Sequence, residues 1–140
     1  QDYDKAIHLD PNDASAYYNR GNAHARRGEP DSAIQDYDKA IHLDPKYASA
    51  YYNRGAVYAR QGEPGRAIQD YDKAIHLDPN DASAYYSRGT AYAQRKELDM
   101  AIRDYDKAIQ LCPDYAVAYD SRGNGHGDKG DLDRAIKDFR

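Results

Sequence analysis

The segment AIQDYDKAIHLDP occurs at residues 33–45 and again, without a change, at residues 67–79. A third copy at residues 101–113 reads AIRDYDKAIQLCP, and the shortened form QDYDKAIHLDP starts at residue 1. Successive copies lie 34 residues apart, and a fixed period of roughly 20–50 residues is typical of solenoids and other repeat arrays. The repetition therefore predicts an architecture of stacked units.

The composition favours many shallow contacts over one deep core. The 140 residues include 15 Tyr but only one Phe and no Trp, and Tyr can bury its ring while its hydroxyl stays at a wet edge. The net charge of -4 gives no general attraction for nucleic acid or anionic lipid. No apolar run approaches the about 20 residues of a membrane-spanning helix. We therefore expect neither nucleic acid nor membrane as a partner.

Each unit is predicted to contain two helices joined by a turn. Residues 14–27 lack proline and are rich in Ala, which favours a first helix. Gly28 predicts its end and Pro30 the start of a second helix, expected over residues 31–43. An Asp-Pro pair then ends the second helix, because the residue before a proline is pushed out of the helical region. One face of the first helix follows helical spacing: Tyr17, Arg20, Gly21 and His24.

Seven positions of the unit resemble the tetratricopeptide repeat, a 34-residue helix-turn-helix family. In the second unit they are Tyr51, Gly55, Tyr58, Ala67, Tyr71, Ala74 and Pro79. The resemblance covers the whole chain. It implies an all-α fold, a right-handed superhelical solenoid of antiparallel helix-turn-helix repeats.

The period also divides the chain. We expect a fragment of a longer array in which residues 1–13 end an earlier repeat. Three repeats would follow at 14–47, 48–81 and 82–115, with a partial repeat at 116–140. The first helix of that partial repeat contains three glycines, each costing about 1 kcal/mol of helix stability relative to Ala, so we expect it to be the loosest part of the array.

The family resemblance implies that the first helices line the concave side of the solenoid. A helical wheel places one set of side chains on a common arc of each first helix, away from the packed face. We expect this arc to bind a protein or peptide ligand, with Tyr supplying contact area and Asn amides pairing with peptide backbone. The sequence leaves open whether the tyrosines instead pack across neighbouring repeats. The set is Tyr18, Asn19, Asn22, Arg26, Tyr52, Asn53, Arg60, Tyr86, Ser87 and Gln94.

The resemblance also offers a specific ligand, which the residues disfavour. Family members that bind the C-terminal carboxylates of heat-shock chaperones use two Asn and three basic side chains. Asn22 and Asn53 match the Asn positions, but Tyr18, Ser83 and Ser87 occupy the basic ones. Without those cations the carboxylates would be poorly held, so chaperone-tail binding of that type is not expected.

The repeated arginines and histidines have simpler interpretations than binding sites. We expect the arginines to pair with aspartates of the second helices, with a phosphate-binding ladder as the alternative. Asp36 and Lys39 are expected to form a surface ion pair. The repeated histidines have no clustered ligands in sequence, so solvation is favoured over a metal site. The arginines are Arg20, Arg54, Arg88 and Arg122, and the histidines are His8, His42 and His76.

No catalytic signature accompanies the repeat. The sequence shows no nucleophile with an ordered base, no phosphate-binding loop and no metal motif, so neither an enzyme nor a cofactor is expected. Two functions remain. One is a scaffold that binds a partner in its concave groove. The other is a structural array that forms a homo-oligomer, by end-to-end stacking of exposed terminal repeats or by domain swapping. A cytoplasmic location is expected.

Overall fold

The computed structural model describes residues 2–139. Within that range all regular structure is helical, which confirms the predicted fold class. Residues 1 and 140, the expected limits of the first and last segments, lie outside the described residues. In the part of the chain described, none of the helices combines the length and apolarity that a membrane span requires. The helices are α1 Asp2–Leu9, α2 Ala14–Arg26, α3 Pro30–Leu43, α4 Ala48–Arg60, α5 Pro64–Leu77, α6 Ala82–Gln94, α7 Leu98–Leu111, α8 Ala116–Asp128 and α9 Leu132–Phe139.

The turns inside the first two complete hairpins follow the sequence signals, whereas Lys96 takes the left-handed conformation in the third. Gly28 has a φ of 71° and Gly62 a φ of 76°, a left-handed conformation that glycine adopts without steric cost. Pro30 and Pro64 then begin the second helices, where the missing N–H of proline is no loss. The second helix therefore starts one residue earlier than the predicted residue 31.

Capping differs between the first helices. The carboxylates of Asp13 and Asp81 each accept a hydrogen bond of 3.0 Å from the backbone N–H two residues on. Such caps stabilise a helix by about 1 kcal/mol. Tyr47 and Tyr115 precede α4 and α8 and provide no side-chain cap, so these two helices begin with more unsatisfied N–H groups.

Within a hairpin, a tyrosine of the second helix packs on a glycine of the first. A Cβ atom added to Gly21 would lie 2.8 Å from Cε1 of Tyr37, closer than real contacts allow. Ala33 and Ala40 of the second helix are fully buried. The Tyr17 ring is partly exposed, and its centre lies 5.7 Å from the guanidinium carbon of Arg20. The close approach of the helices thus depends on Tyr37.

The hairpins stack in one direction. In residues 2–139, α3, α5 and α7 each contact their own first helix and the first helix of the next hairpin, α1 contacts α2, and α9 contacts α8. The first helices α2, α4, α6 and α8 also contact one another in sequence, whereas α3, α5 and α7 do not. The first helices therefore form the inner layer of a curved stack. This distributed packing agrees with the predicted shallow contacts between neighbours.

Candidate functional site

Arginines on the first helices tie neighbouring hairpins together. Arg54 donates hydrogen bonds of 2.9 and 2.8 Å to both oxygens of Asp70 in its own hairpin, and one of 2.6 Å to Asp38 in the preceding hairpin. Three further arginines make the same pair of contacts, and we name the set the arginine clamps. They are Arg20 with Asp36 and Asp4, Arg88 with Asp104 and Asp72, and Arg122 with Asp138 and Asp106.

The clamps confirm the predicted pairing of arginine with aspartate of the second helix. Asp36 is only 5% exposed and its carboxylate is occupied by Arg20. Lys39 instead lies 5.9 Å from the centre of the Tyr17 ring, so the predicted surface ion pair between Asp36 and Lys39 is wrong. The hydrogen bond from Arg20 also holds the pKa of Asp4 below its ordinary value. The guanidinium groups therefore serve the stacking of hairpins.

Tyrosines of the inner layer are half-buried between repeats. Tyr18 stacks on Tyr47 with 4.8 Å between ring centres, and its hydroxyl accepts a hydrogen bond of 3.0 Å from Asn53 of the next first helix. The Tyr52 hydroxyl likewise lies within hydrogen-bond distance, 2.9 Å, of the Ser87 hydroxyl on the next first helix. These contacts show that packing across repeats uses part of each ring. The rest of each side chain remains accessible to solvent.

A polar pocket of about 250 Å³ opens between the first two complete hairpins. Its wall includes Asn22, Arg26, Tyr37, Asn53 and Arg60. The Tyr37 hydroxyl donates a hydrogen bond of 2.7 Å to Oδ1 of Asn22, and Nδ2 of Asn53 donates one of 2.8 Å to the same oxygen. Two helices of one hairpin and the first helix of the next therefore build this pocket together.

The predicted groove residues divide into two classes. Four are exposed to solvent, namely Asn19, Arg26, Arg60 and Gln94. The other six are half-buried and hydrogen-bonded or stacked within the layer: Tyr18, Asn22, Tyr52, Asn53, Tyr86 and Ser87.

The sequence interpretation missed two contributors to this surface. Tyr37 is buried, yet its hydroxyl reaches the pocket. Tyr47 precedes α4 and stacks on Tyr18. The use of Tyr where Phe would fill the same core space was the available signal, because a buried hydroxyl needs a hydrogen-bond partner.

The histidines and the cysteine lie away from this pocket. His8, His42 and His76 are exposed, as predicted. Among the described residues no group of three or more potential metal ligands is present. The Cys112 thiol donates a hydrogen bond to Asp114.

Comparison of the sequence with protein families gives a direct result. A TPR repeat model matches residues 1–28 and 21–62, and a tetratricopeptide repeat model matches residues 48–81 and 82–115. The chain belongs to the tetratricopeptide repeat family. This membership agrees with the helical hairpins and with the right-handed superhelical solenoid expected from the sequence. No curated protein matches this chain.

Solved structures share the tetratricopeptide fold over nearly all of the chain. A crystal structure of MamA is 35% identical with a TM-score of 0.93, and the alignment covers 98% of this chain and 80% of that one. MamA from Desulfovibrio magneticus RS-1 is 28% identical with a TM-score of 0.92, covering 98% and 77%. The first TPR of Spaghetti (RPAP3), bound to the HSP90 peptide SRMEEVD, is 26% identical with a TM-score of 0.82, covering 84% and 93%.

Proposed function

We propose that this protein is an interaction scaffold that binds a peptide or helix of a partner protein in the groove formed by its first helices. The observation that carries the proposal is the polar pocket on the inner layer, where side chains of neighbouring hairpins converge. Its amides and guanidinium groups suit hydrogen bonding to a peptide, and the adjacent half-buried tyrosines add contact area. The peptide-bound TPR of Spaghetti is a relative in which this fold holds a peptide.

The proposed binding surface retains the ten residues selected from the sequence. We also retain the division into repeats at 14–47, 48–81 and 82–115 with partial repeats on either side. The proposal is binding without catalysis, and the cytoplasmic location remains a prediction. The ligand-contacting residues are Tyr18, Asn19, Asn22, Arg26, Tyr52, Asn53, Arg60, Tyr86, Ser87 and Gln94.

The ligand is proposed to differ from a heat-shock chaperone tail. Tyr18, Ser83 and Ser87 stand at the positions where basic residues would be required. Tyr18 and Ser87 are engaged within the array, with Asn53 and Tyr52 respectively. These neutral side chains provide no counter-charge for two carboxylates at one peptide end.

The groove is tested by blocking its exposed edge. Peptides selected from a displayed random library are titrated against the protein and against a double variant, Asn19→Arg with Gln94→Arg. Both positions are exposed on first helices, so the fold should persist while the groove is obstructed. The matched control is Gln35→Arg with Gln69→Arg, which adds the same charge on exposed sites of second helices.

The proposal predicts that the groove variant loses peptide affinity while the control retains it. Circular dichroism checks that both variants keep the helical content of the parent. Weaker binding by the second-helix control, with binding unchanged in the groove variant, would place the ligand on the outer layer and contradict the proposal.

Self-assembly remains the second candidate because apolar side chains are exposed at both ends of the described region. Leu9 is 75% exposed, and Ile136 and Phe139 are each 53% exposed. Light scattering over a range of protein concentrations separates the two candidates. A mass that rises with concentration and falls again with Ile136→Ser supports self-assembly, and a constant monomer mass rejects it.

A further inference from the structure

The inner layer carries a tyrosine at the same position of three successive first helices. They are Tyr18 on α2, Tyr52 on α4 and Tyr86 on α6, each 34 residues from the next. Each ring is partly buried and packs against a tyrosine of the second helix in its own hairpin, with 5.5–6.1 Å between ring centres. We name these three side chains the tyrosine row.

Contacts with the next hairpin hold the tyrosine row in place. Each hydroxyl of the row lies within 3.3 Å of a polar side chain on the following first helix, and the partners in chain order are Asn53, Ser87 and Ser121. Because the ring and the hydroxyl are both engaged, little rotamer freedom is left to be lost when a ligand packs on the row. The row is therefore a preorganised aromatic surface.

The three helices that carry the row contain no carboxylate side chain. Their sequences are ASAYYNRGNAHAR in α2, ASAYYNRGAVYAR in α4 and ASAYYSRGTAYAQ in α6, although the chain has 24 Asp and Glu residues. The exposed polar side chains on the same arc of these helices are Asn19, Arg26, Arg60 and Gln94. All four can donate hydrogen bonds through N–H groups. This part of the groove therefore offers many donors and few strong acceptors.

A proline-rich segment matches this balance of donors and acceptors. Proline has no backbone N–H, so such a segment presents carbonyl acceptors and no donors that would need partners in the groove. It forms a polyproline II helix on its own, so binding orders the chain at little cost in conformational entropy. Grooves lined by aromatic side chains recognise such helices. The tyrosine row and its polar surroundings therefore suit the same ligand.

The spacing of the row agrees with the pitch of a polyproline II helix. The helices α2, α4 and α6 contact one another in sequence, and the axes of packed helices lie about 8–10 Å apart. A polyproline II helix has three residues per turn and advances about 9 Å per turn. Successive tyrosines of the row would thus meet the same side of the ligand, one turn apart.

We propose that the tyrosine row binds a proline-rich peptide segment in the polyproline II conformation, with one turn of the ligand on each of Tyr18, Tyr52 and Tyr86. This inference rests on the proposed peptide-binding function and specifies the ligand. The exposed amides and guanidinium groups of the groove donate hydrogen bonds to the carbonyl oxygens of the segment. Asp120 occupies the position of the row on α8 and is exposed, so the aromatic contacts end after three turns.

The probe is a nine-residue oligoproline, acetylated and amidated so that neither end carries a charge. Nine residues extend over about 28 Å, which is three turns. A capped Gly-Ser peptide of the same length is the flexible comparison, and titration calorimetry with the full chain measures both. We expect the oligoproline to bind and the Gly-Ser peptide not to bind. A three-residue oligoproline should bind about tenfold more weakly or less, because two of the three ring contacts are lost.

Substitutions in the middle of the row test the role of the aromatic ring. Tyr52→Leu keeps an apolar side chain but removes the flat ring, so it should weaken oligoproline binding about threefold to tenfold. Tyr52→Phe keeps the ring and should lose less affinity than Tyr52→Leu. The matched control is Tyr51→Leu on the same helix, because the Tyr51 ring lies beside the guanidinium group of Arg54 and is not part of the row. This control should retain the affinity of the parent.

The fold of each variant is checked by circular dichroism and urea unfolding. The double variant Asn19→Arg with Gln94→Arg leaves the row unchanged but obstructs the groove. It should also weaken oligoproline binding, and it provides an independent test should Tyr52→Leu fail to fold.

The outcomes separate this inference from the proposed function on which it rests. Peptides of the random library that bind the groove, while oligoproline does not bind, overturn the proline assignment alone. Equal binding of oligoproline to the parent, Tyr52→Leu and the groove double variant overturns it as well. Binding of a single-stranded oligouridylate in place of oligoproline, weakened by Tyr52→Leu, would also reject it, because aromatic side chains can stack bases. Failure of every peptide to bind the groove overturns both proposals.

Discussion

At Gly89 the two helices of the third hairpin, α6 and α7, approach each other closely. A Cβ atom on Gly89 would lie 2.9 Å from Cε1 of Tyr105 and 3.1 Å from the carbonyl oxygen of Ala101. The second of these neighbours is backbone and cannot move aside as a flexible side chain would. Gly65, by contrast, lies near the start of a second helix with open space around it.

Substitution at these two glycines is predicted to have opposite effects. Gly89→Ala should destabilise the protein by about 1 kcal/mol, because an overpacking cost of about 1–3 kcal/mol exceeds the gain in helix propensity. Gly65→Ala should stabilise it by about 0.5–1 kcal/mol. Chemical denaturation of both variants measures the two free energies of unfolding. Equal stabilisation by both would show that the tyrosine contact imposes no steric limit.

Residue-level chemistry was predictable where it depended on local spacing. The caps at Asp13 and Asp81 and the turn at Gly28 follow from residue type and position alone. The partner of Asp36 could not be predicted in this way, because the i,i+3 spacing to Lys39 relates residues of a single helix. Its real partner, Arg20, lies on another helix 16 residues away, and competition between two cations for one buried carboxylate is decided by tertiary geometry.

Between elements, the arginine clamps contain two ion pairs of unequal burial. The side chain of Asp70 is 8% exposed and that of Asp38 is 53% exposed, yet both bind Arg54. Asp70 lies on the second helix of the same hairpin, and Asp38 lies on the hairpin before it. The clamp therefore has a buried contact within the hairpin and a solvated contact to its neighbour.

Removing the two carboxylates separately should reveal this asymmetry. Asp70→Asn is expected to cost roughly 2–3 kcal/mol, because breaking a buried pair leaves the arginine incompletely compensated. Asp38→Asn is expected to cost less than about 1 kcal/mol, as for other exposed pairs. Urea unfolding of the two variants compares them in the same protein. A cost for Asp38→Asn equal to that for Asp70→Asn would show that the contact between hairpins is as important as the contact within them.

Helix order and approximate bounds were accessible from sequence because the 34-residue period carries the glycine and proline signals of the first hairpins to the next, although Lys96 replaces glycine in the turn between α6 and α7. The second helix begins one residue before the predicted residue 31, because Pro30 itself adopts the helical conformation. The pocket between hairpins was less accessible. It forms where hydrogen bonds bring together Tyr37 of one helix and Asn22 and Asn53 of two other helices. Residue spacing within a single helix cannot predict such contacts.

For the whole molecule, stability is distributed along the stack because contacts are confined to neighbours. Among the first helices of the hairpins, α8 contains the most glycine. Its three glycines differ in environment. A Cβ on Gly123 would lie 2.8 Å from the Phe139 ring, whereas one on Gly127 would meet only Ala135 at 3.9 Å. The glycine at 127 is therefore not required by packing.

Among α2 to α9, hydrogen exchange is predicted to be fastest in α8 and α9 and slower in α4 to α7. The glycines lower the helix stability of α8, and local opening reports such differences along a structure. Gly127→Ala should slow exchange in α8 by stabilising it by about 1 kcal/mol. Gly123→Ala is the matched comparison and should accelerate exchange there. Uniform protection from α2 to α9 would indicate one cooperative unit.

The arginine clamps have a consequence for how such a chain can change length. Each arginine finds one aspartate 16 residues before it and another 16 residues after it. Copying or deleting one complete 34-residue block leaves both separations intact at every junction. An insertion of a few residues inside a hairpin would break them. Growth by tandem duplication of coding sequence, one whole hairpin at a time, is thus compatible with this ion-pair network.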